Sequence, residues 1–320
     1  MHARISVAIP VFRPRPEHLA ALLASLEAQT VPPLEVILTE DPSDDGGPLE
    51  VPERLAGGPP VRRSLNPQRL GMVGNWNRAV ELSTGEAVLM MGQDDVLLPS
   101  ACETHMGVLQ ETPAVSASAS LPDFIDDSGA PRAPDQRSVG VRRLTTPGAR
   151  YRLPYNLLAV LALLYGNVTG EPCGTCFRKD AWTAVGGYSE SFRHSADIDF
   201  MLRVARECGP VQLSTVALSA RRIHADNATV EHIAQRVTAE DRERLFAHHR
   251  AALTDPELRQ RAEARLITHN LFDSLRTRDL RRLAAAGFSP RLTRAVASDL
   301  WENLGGRPRG RDLMESCRER

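Results

Sequence analysis

Apolar and polar positions alternate along this chain in two regimes. Up to residue 228, short β-rich runs take turns with helical faces; beyond residue 229, strand signals vanish. Residues 5–9 form a β-rich run closed by Pro10, and residues 17–29 place Leu19, Leu22, Leu23 and Leu26 on one helical face. Residues 34–39 read as a second strand, followed by an acidic loop rich in Gly and Pro over 40–47. Residues 61–65 read as a third strand and 70–82 as a helix. Residues 87–91 read as a buried strand that ends at Gly92-Gln93-Asp94-Asp95, and Pro99 opens the next helix, as a first-turn proline does.

A strand over 115–120 precedes a stretch rich in Pro, Gly, Asp and Arg, 121–149, which reads as one long loop. A helix near 154–164, a strand near 173–177, a helix near 197–207 and a strand near 211–218 follow. The alternation predicts an α/β domain over 1–228 with a mainly parallel central sheet. Residues 229–320 then form a helical C-terminal extension, in which 259–275 and 290–304 carry helical periodicity.

Composition narrows the function. A chain of 320 residues, 42% hydrophobic and 25% charged, can bury a sizeable core. Its formal net charge of -1 provides no long-range field to recruit nucleic acid. Five scattered cysteines and a start without a basic leader point to reduced thiols and a cytoplasmic protein. The longest apolar run, 157–165, is far short of the roughly 20 residues a membrane helix needs. The expectation is therefore no transmembrane segment, with peripheral contact at the inner membrane face left open.

Ligands of open α/β sheets gather beyond the carboxyl ends of strands, and several acids fall there. Asp94 and Asp95 follow the buried strand. Successive residues of an extended segment point opposite ways, so one can hold a divalent cation while the other addresses a ribose or loop amides. Alternatively both merely precede a helix, where negative charge is favoured. Asp41 either bonds a base or ribose or closes its own turn. Asp197 is either a general base or a helix cap. His224, beside Arg222, either offers an imidazole to a metal or diphosphate or is an ordinary surface histidine. Asn75, Asn77 and Arg78 sit at a helix start, where nucleotide contact competes with capping and a solvated face. Trp76 reads as core, and Trp182 is the better sugar platform. Cys173 and Cys176 have no second pair to complete a zinc site and read as structural.

Taken in order, Ile9-Pro10-Val11-Phe12, Glu40-Asp41-Pro42-Ser43-Asp44-Asp45, Asn75-Trp76-Asn77-Arg78, Gln93-Asp94-Asp95, Val185-Gly186-Gly187-Tyr188, Ala196-Asp197-Ile198-Asp199 with Arg203, and Arg222-Ile223-His224 with Asn227 and Thr229 resemble the family-2 glycosyltransferases of GT-A fold. The resemblance implies an inverting, non-processive transfer from a nucleotide-diphosphate sugar, a UDP-sugar, to a hydroxyl on a glycan, lipid-linked sugar or small molecule. It gives Asp95 and His224 a Mg²⁺ or Mn²⁺ ion. It makes Asp197 the catalytic base and sets Pro10, Phe12, Asp41, Asn75, Arg78 and Asp94 around the donor nucleotide. The C-terminal helices are a candidate homo-oligomer surface. Glu40, Gln93 and Ala196 depart from the family pattern, which leaves a catalytically silent glycan- or nucleotide-binding protein as the alternative. A sugar nucleotidyltransferase would open with a Gly-rich basic loop, and 10–16 contains no glycine.

Overall fold

Strand β1 (Ile5–Val11) is buried along nearly its whole length because the sheet is covered on both faces. Its alternate residues enter different cores: Ala8 packs on one side, and Val7 and Ile9 on the other. The computed structural model of the chain describes residues 4–44, 49–133, 141–169, 172–224, 237–276 and 310–319. Asp45, Asn227, Thr229 and the helix expected over 290–304 lie outside the described residues.

Parallel to β1 run β2 (Glu35–Glu40) and β4 (Ala87–Met90), with β3 (Val61–Leu65) outside β2. The sheet continues through β9 (Thr175–Arg178), β6 (Ala117–Ser120), β10 (Val211–Ser214) and β8 (Arg150–Leu153), giving eight strands in the order β3-β2-β1-β4-β9-β6-β10-β8. Only β9 and β8 run against the others, so the expected mainly parallel sheet is present.

Helices α1 (Pro16–Glu27) and α3 (Ala101–Glu111) cover the face that receives Val7 and Ile9. Helices α2 (Gly71–Leu82), α4 (Tyr155–Tyr165), α5 (Lys179–Ala184) and α6 (Ala196–Glu207) contribute to the other core.

A second, three-stranded sheet stands at the carboxyl ends of the parallel strands. It joins β5 (Val96–Leu97), β11 (Ser219–Arg222) and β7 (Asp123–Ile125) in the order β5-β11-β7. Two expectations are corrected by it. The strand read over 211–218 ends at Ser214, with β11 of the second sheet starting only at Ser219, and the loop read over 121–149 contains β7 and a helical turn at 141–144. Strands of two to four residues are too short to display a period.

The tail contributes α7 (Val237–His249), α8 (Pro256–Arg276) and α9 (Gly310–Glu315). Leu253 and Ala262 pack on Val160 and Leu164 of α4, while Leu245, Ala252 and Met314 join the large core. The tail therefore covers part of the apolar surface of α4. The last described residues lie along β8, with the Arg152 amide donating to Cys317 O (2.9 Å) and the Glu319 amide to Arg150 O (2.9 Å). Among the described residues, no helix is long and apolar enough to cross a membrane.

Candidate active site

The turn after β4 is tied to the exit of β1 by one side chain. The Phe12 amide donates to Gln93 Oε1 (2.8 Å), and Gln93 Nε2 donates to Phe12 O (3.1 Å). A carboxylate at position 93 would accept but not donate, so glutamine is the matching residue here.

Asp95 folds back from this turn and is 9% exposed. Its Oδ1 accepts from the Arg222 amide of β11 (2.9 Å). A Cβ at position 92 would come within 2.6 Å of Asp95 Oδ2, so glycine there permits the approach. Burial pushes the Asp95 carboxyl above its ordinary value, against the Arg222 amide and Cys173.

Asp94, in the same turn, points the other way. Its Oδ1 lies 3.5 Å from His18 Nδ1 and its Oδ2 3.4 Å from His224 Nε2. Each of the three residues offers a donor atom within 4.8 Å of the others. His18 Nε2 sits 3.2 Å from Asp127 Oδ1 and 3.3 Å from Asp127 O, both acceptors, so the ring proton belongs on Nε2. That leaves Nδ1, buried and without a hydrogen bond, facing a carboxylate oxygen. Two lone pairs turned toward each other need a positive charge between them, a proton or a metal ion. Arg222 locks the surrounding loop: Nε donates to Asp94 O (2.8 Å), and the same guanidinium donates to Asp126 O (3.0 Å) and Asp127 O (3.1 Å).

His18 escaped the sequence reading. The available signal was its place on the apolar face of α1, in register with Leu22 and Leu26, immediately after the first strand.

The turn after β2 is built differently. Asp41 is 3% exposed; Oδ1 accepts from Asn66 Nδ2 (2.9 Å) and the Leu70 amide (3.0 Å), and Oδ2 from the Gly71 amide (2.8 Å). It satisfies the first amides of α2, which a helix leaves unpaired. Asn75 donates from Nδ2 to Val11 O (3.1 Å) and Thr39 O (3.2 Å) and accepts from Asn66 (2.9 Å). Through these bonds Asp41 and Asn75 brace β1, β2 and α2. Arg78 pairs along its own helix with Glu81 (2.7 Å) on the solvent side. Pro10 stays at the end of β1, paired with Thr39, and the ring of Phe12 carries the guanidinium of Arg69 at 4.1 Å and that of Arg13 at 5.3 Å.

The third group surrounds the start of α6. Asp197 Oδ2 accepts from Asn167 Nδ2 (2.7 Å). Beside it the Tyr188 hydroxyl is held well above its usual value, by burial first and by the Asp197 charge second. At the end of β4 the Gly174 amide donates to Met90 O (3.0 Å).

Asp199 is buried and binds locally: Arg203 Nε donates to Oδ2 (2.7 Å) and His249 Nε2 to Oδ1 (3.3 Å). Burial raises its carboxyl, but His249 and Arg203 outweigh burial and hold it below its ordinary value. Arg203 also donates to Val185 O (2.7 Å) and Gly187 O (2.9 Å). Asn77 donates to Tyr188 O (2.8 Å) and accepts from the Tyr188 amide (2.8 Å) and Trp182 Nε1 (3.3 Å). Gly187 has φ +76, and a Cβ there would meet Asn77 at 2.7 Å and the Trp182 ring at 3.1 Å. Trp182 thus packs against Gly187 and Asn77, while Trp76 packs edge-on against Tyr188. Cys173 and Cys176 are both buried free thiols, in keeping with a structural role.

With this geometry in place, comparison with known proteins settles the family. A family model described as Glycosyl transferase family 2 matches residues 6–182, more than half of the chain. The chain belongs to glycosyl transferase family 2. Within that family, it is 26% identical over 203 residues to an uncharacterized glycosyltransferase of Haemophilus influenzae, covering 63% of this chain and 62% of the relative. It is 28% identical over 245 residues to the uncharacterized protein MT1568 of Mycobacterium tuberculosis, covering 76% and 74%.

Crystal structures of S. aureus TarS share the fold. One superposes with a TM-score of 0.52 at 17% identity, covering 98% of this chain and 55% of TarS. TarS 1–349 in complex with UDP gives a TM-score of 0.50 at 17% identity, covering 98% and 90%. The chain thus spans about three fifths of the Haemophilus relative and just over half of the longer TarS chain. The family-2 fold is of the GT-A type, with a helical C-terminal extension.

Proposed function

We propose that this family-2 protein transfers a sugar from a UDP-sugar to a hydroxyl acceptor in one inverting displacement, with a divalent cation held by Asp94, His18 and His224. The observation that carries this is the convergence of these three side chains beside the exit of β1, with Nδ1 of His18 left facing a carboxylate. A bound cation would neutralise the charge that grows on the diphosphate oxygen as the glycosidic bond breaks. Two imidazoles and one carboxylate suit Mn²⁺ better than Mg²⁺, which prefers an all-oxygen shell. In this reading the two acids exchange the roles expected from sequence: Asp94 holds the ion and Asp95 holds β11.

Pro10 and Phe12 then border the nucleotide, with Arg13 and Arg69 gathered at the ring to offset phosphate charge. The UDP named for the TarS complex supports this donor class. Asp197, oriented by Asn167, accepts the acceptor's proton as attack proceeds. A single displacement needs one base, and it inverts the anomeric centre. The acceptor class (glycan, lipid-linked sugar or small molecule), the division into a catalytic domain at 1–228 and an extension at 229–320, a cytoplasmic site with peripheral membrane contact, and pairing through the C-terminal helices complete the proposal.

The departures from the family pattern each have an occupation in this chain. Gln93 forms the clamp on Phe12, Glu40 pairs with Arg63, and Ala196 is fully buried in the core. They therefore lend no support to a silent binding protein. The test is a set of UDP-sugars with Mn²⁺, Mg²⁺ or chelator, scored by melting temperature and by UDP release. Mn²⁺-dependent stabilisation with release is expected; stabilisation by UDP without release from any donor would make the silent reading the correct one.

A further inference from the structure

Helix α7 of the tail presents Val237, Asp241, Leu245 and His249 at four-residue spacing, all four buried. On an α-helix this spacing makes one stripe, and the stripe faces the start of α6. A stripe of this kind normally consists of apolar residues, yet half of its members here are polar. A buried carboxylate adds nothing to packing that leucine would not supply, and it needs compensating donors.

Asp241 has them. A single oxygen, Oδ2, accepts from three successive backbone amides, those of Arg193 (3.0 Å), His194 (2.6 Å) and Ser195 (2.8 Å). Consecutive amides converging on one point form an anion-binding nest, and here the anion is supplied by the protein's own tail. Ser195 immediately precedes α6 and makes no side-chain cap to it. At the far end of the stripe, His249 Nε2 meets Asp199 Oδ1 (3.3 Å), and the Tyr155 hydroxyl meets His249 Nδ1 (3.3 Å). The tail thus grips the chain at 193–195 and again at Asp199, on either side of Asp197.

We infer that Asp241 is a positioning residue: by filling the 193–195 nest it fixes the turn that aims Asp197, so that a helix outside the sheet sets the geometry of proton acceptance. The inference rests on the reading of Asp197 as the base, and it adds that the extension is part of the catalytic apparatus.

The test compares Asp241→Gly, which empties the nest, Asp241→Asn, which retains shape and an accepting oxygen, and Leu245→Ala, which removes packing alone. Hydrogen exchange over 189–200, UDP release, the donor KM and the Mn²⁺–UDP thermal shift are measured with and without formate. For Asp241→Gly we expect faster exchange confined to 189–200, and kcat lower by about tenfold or more with KM and the thermal shift unchanged. Formate, a free carboxylate that fits the nest, restores both. Should the glycine variant not fold, Asp241→Asn carries the same kcat-only loss in milder form. Leu245→Ala lowers the melting temperature without responding to formate. Wild-type exchange and kcat in Asp241→Gly, or a loss indifferent to formate like that of Leu245→Ala, would overturn the inference. If wild-type protein releases UDP from no donor, the proposed function fails, and exchange with formate rescue still decides the role of Asp241.

Discussion

Two acidic turns stand at the ends of neighbouring parts of one sheet, after β2 and after β4, and they do opposite things with the same functional group. At the first, Asp41 is surrounded by donors, the Asn66 amide and the backbone of Leu70 and Gly71. At the second, Asp95 is likewise met by a donor, the Arg222 amide, but Asp94 faces two imidazoles, one of which presents a lone pair. A carboxylate enclosed by donors is already satisfied by the fold. One that faces further acceptors requires a positive charge from outside. Position at a strand end is therefore a poor guide to function; the kind of partner decides.

The largest expected effect breaks the comparison directly. Asp94→Ala should abolish the Mn²⁺-dependent thermal shift with UDP and lower UDP release by about 10²–10³-fold, the usual loss when a charge-stabilising group is removed. A retained shift would mean that Asp94 is as satisfied by the fold as Asp41.

Next comes a contrast between two buried histidines. His105 is paired with Ser118 (2.9 Å), and burial lowers its pKa to about 4, whereas His18 faces Asp94 and Asp127. Between the unfolded value near 6.5 and about 4, the unfolded chain takes up a proton at His105 that the folded chain refuses. Stability should therefore fall as pH falls through this window, by up to about 3 kcal/mol. Urea unfolding of wild type against His105→Gln over the window checks this, and the variant should lose that part of the slope.

Asp41→Ala should cost about 1–3 kcal/mol in unfolding free energy, because it leaves buried amides unpaired. The Mn²⁺ dependence of the thermal shift should survive, which is the reverse of the Asp94 result. Smallest is His18→Asn, expected to weaken Mn²⁺ binding about tenfold with little change in the metal-free melting temperature; calorimetric titration of Mn²⁺ with UDP present measures it.

How legible these features were follows from the same distinction. The runs in β1 and β4 announce themselves because both faces are buried and the residues are uniformly apolar. Strands β5, β7, β8 and β11 do not, being two to four residues long. Asp94, Asp95 and His224 were visible as chemistry, but their division of labour was not, since which of two adjacent acids turns inward depends on Gly92 and on β11, more than 120 residues downstream. The bracing bonds of Asp41 could not be read from sequence because its partners, Leu70 and Gly71, lie far along the chain. Asn75 and Asn77 look equivalent in sequence, yet two residues of helix turn about 200°, so one braces the strands and the other holds Tyr188. His18 was concealed inside an ordinary apolar stripe.

The paired bonds between Gln93 and Phe12 have a mechanical consequence. They couple the backbone that carries the aromatic ring at the exit of β1 to the turn that carries the acid facing the histidines, so the two form one bracket. Under the proposed function such a bracket would act as a ruler: a donor whose base and phosphates are spaced to match would be gripped at both ends at once, and a shorter or longer one at only one end. Replacing Gln93 with aspartate, which cannot donate to Phe12 O, would unhinge that ruler.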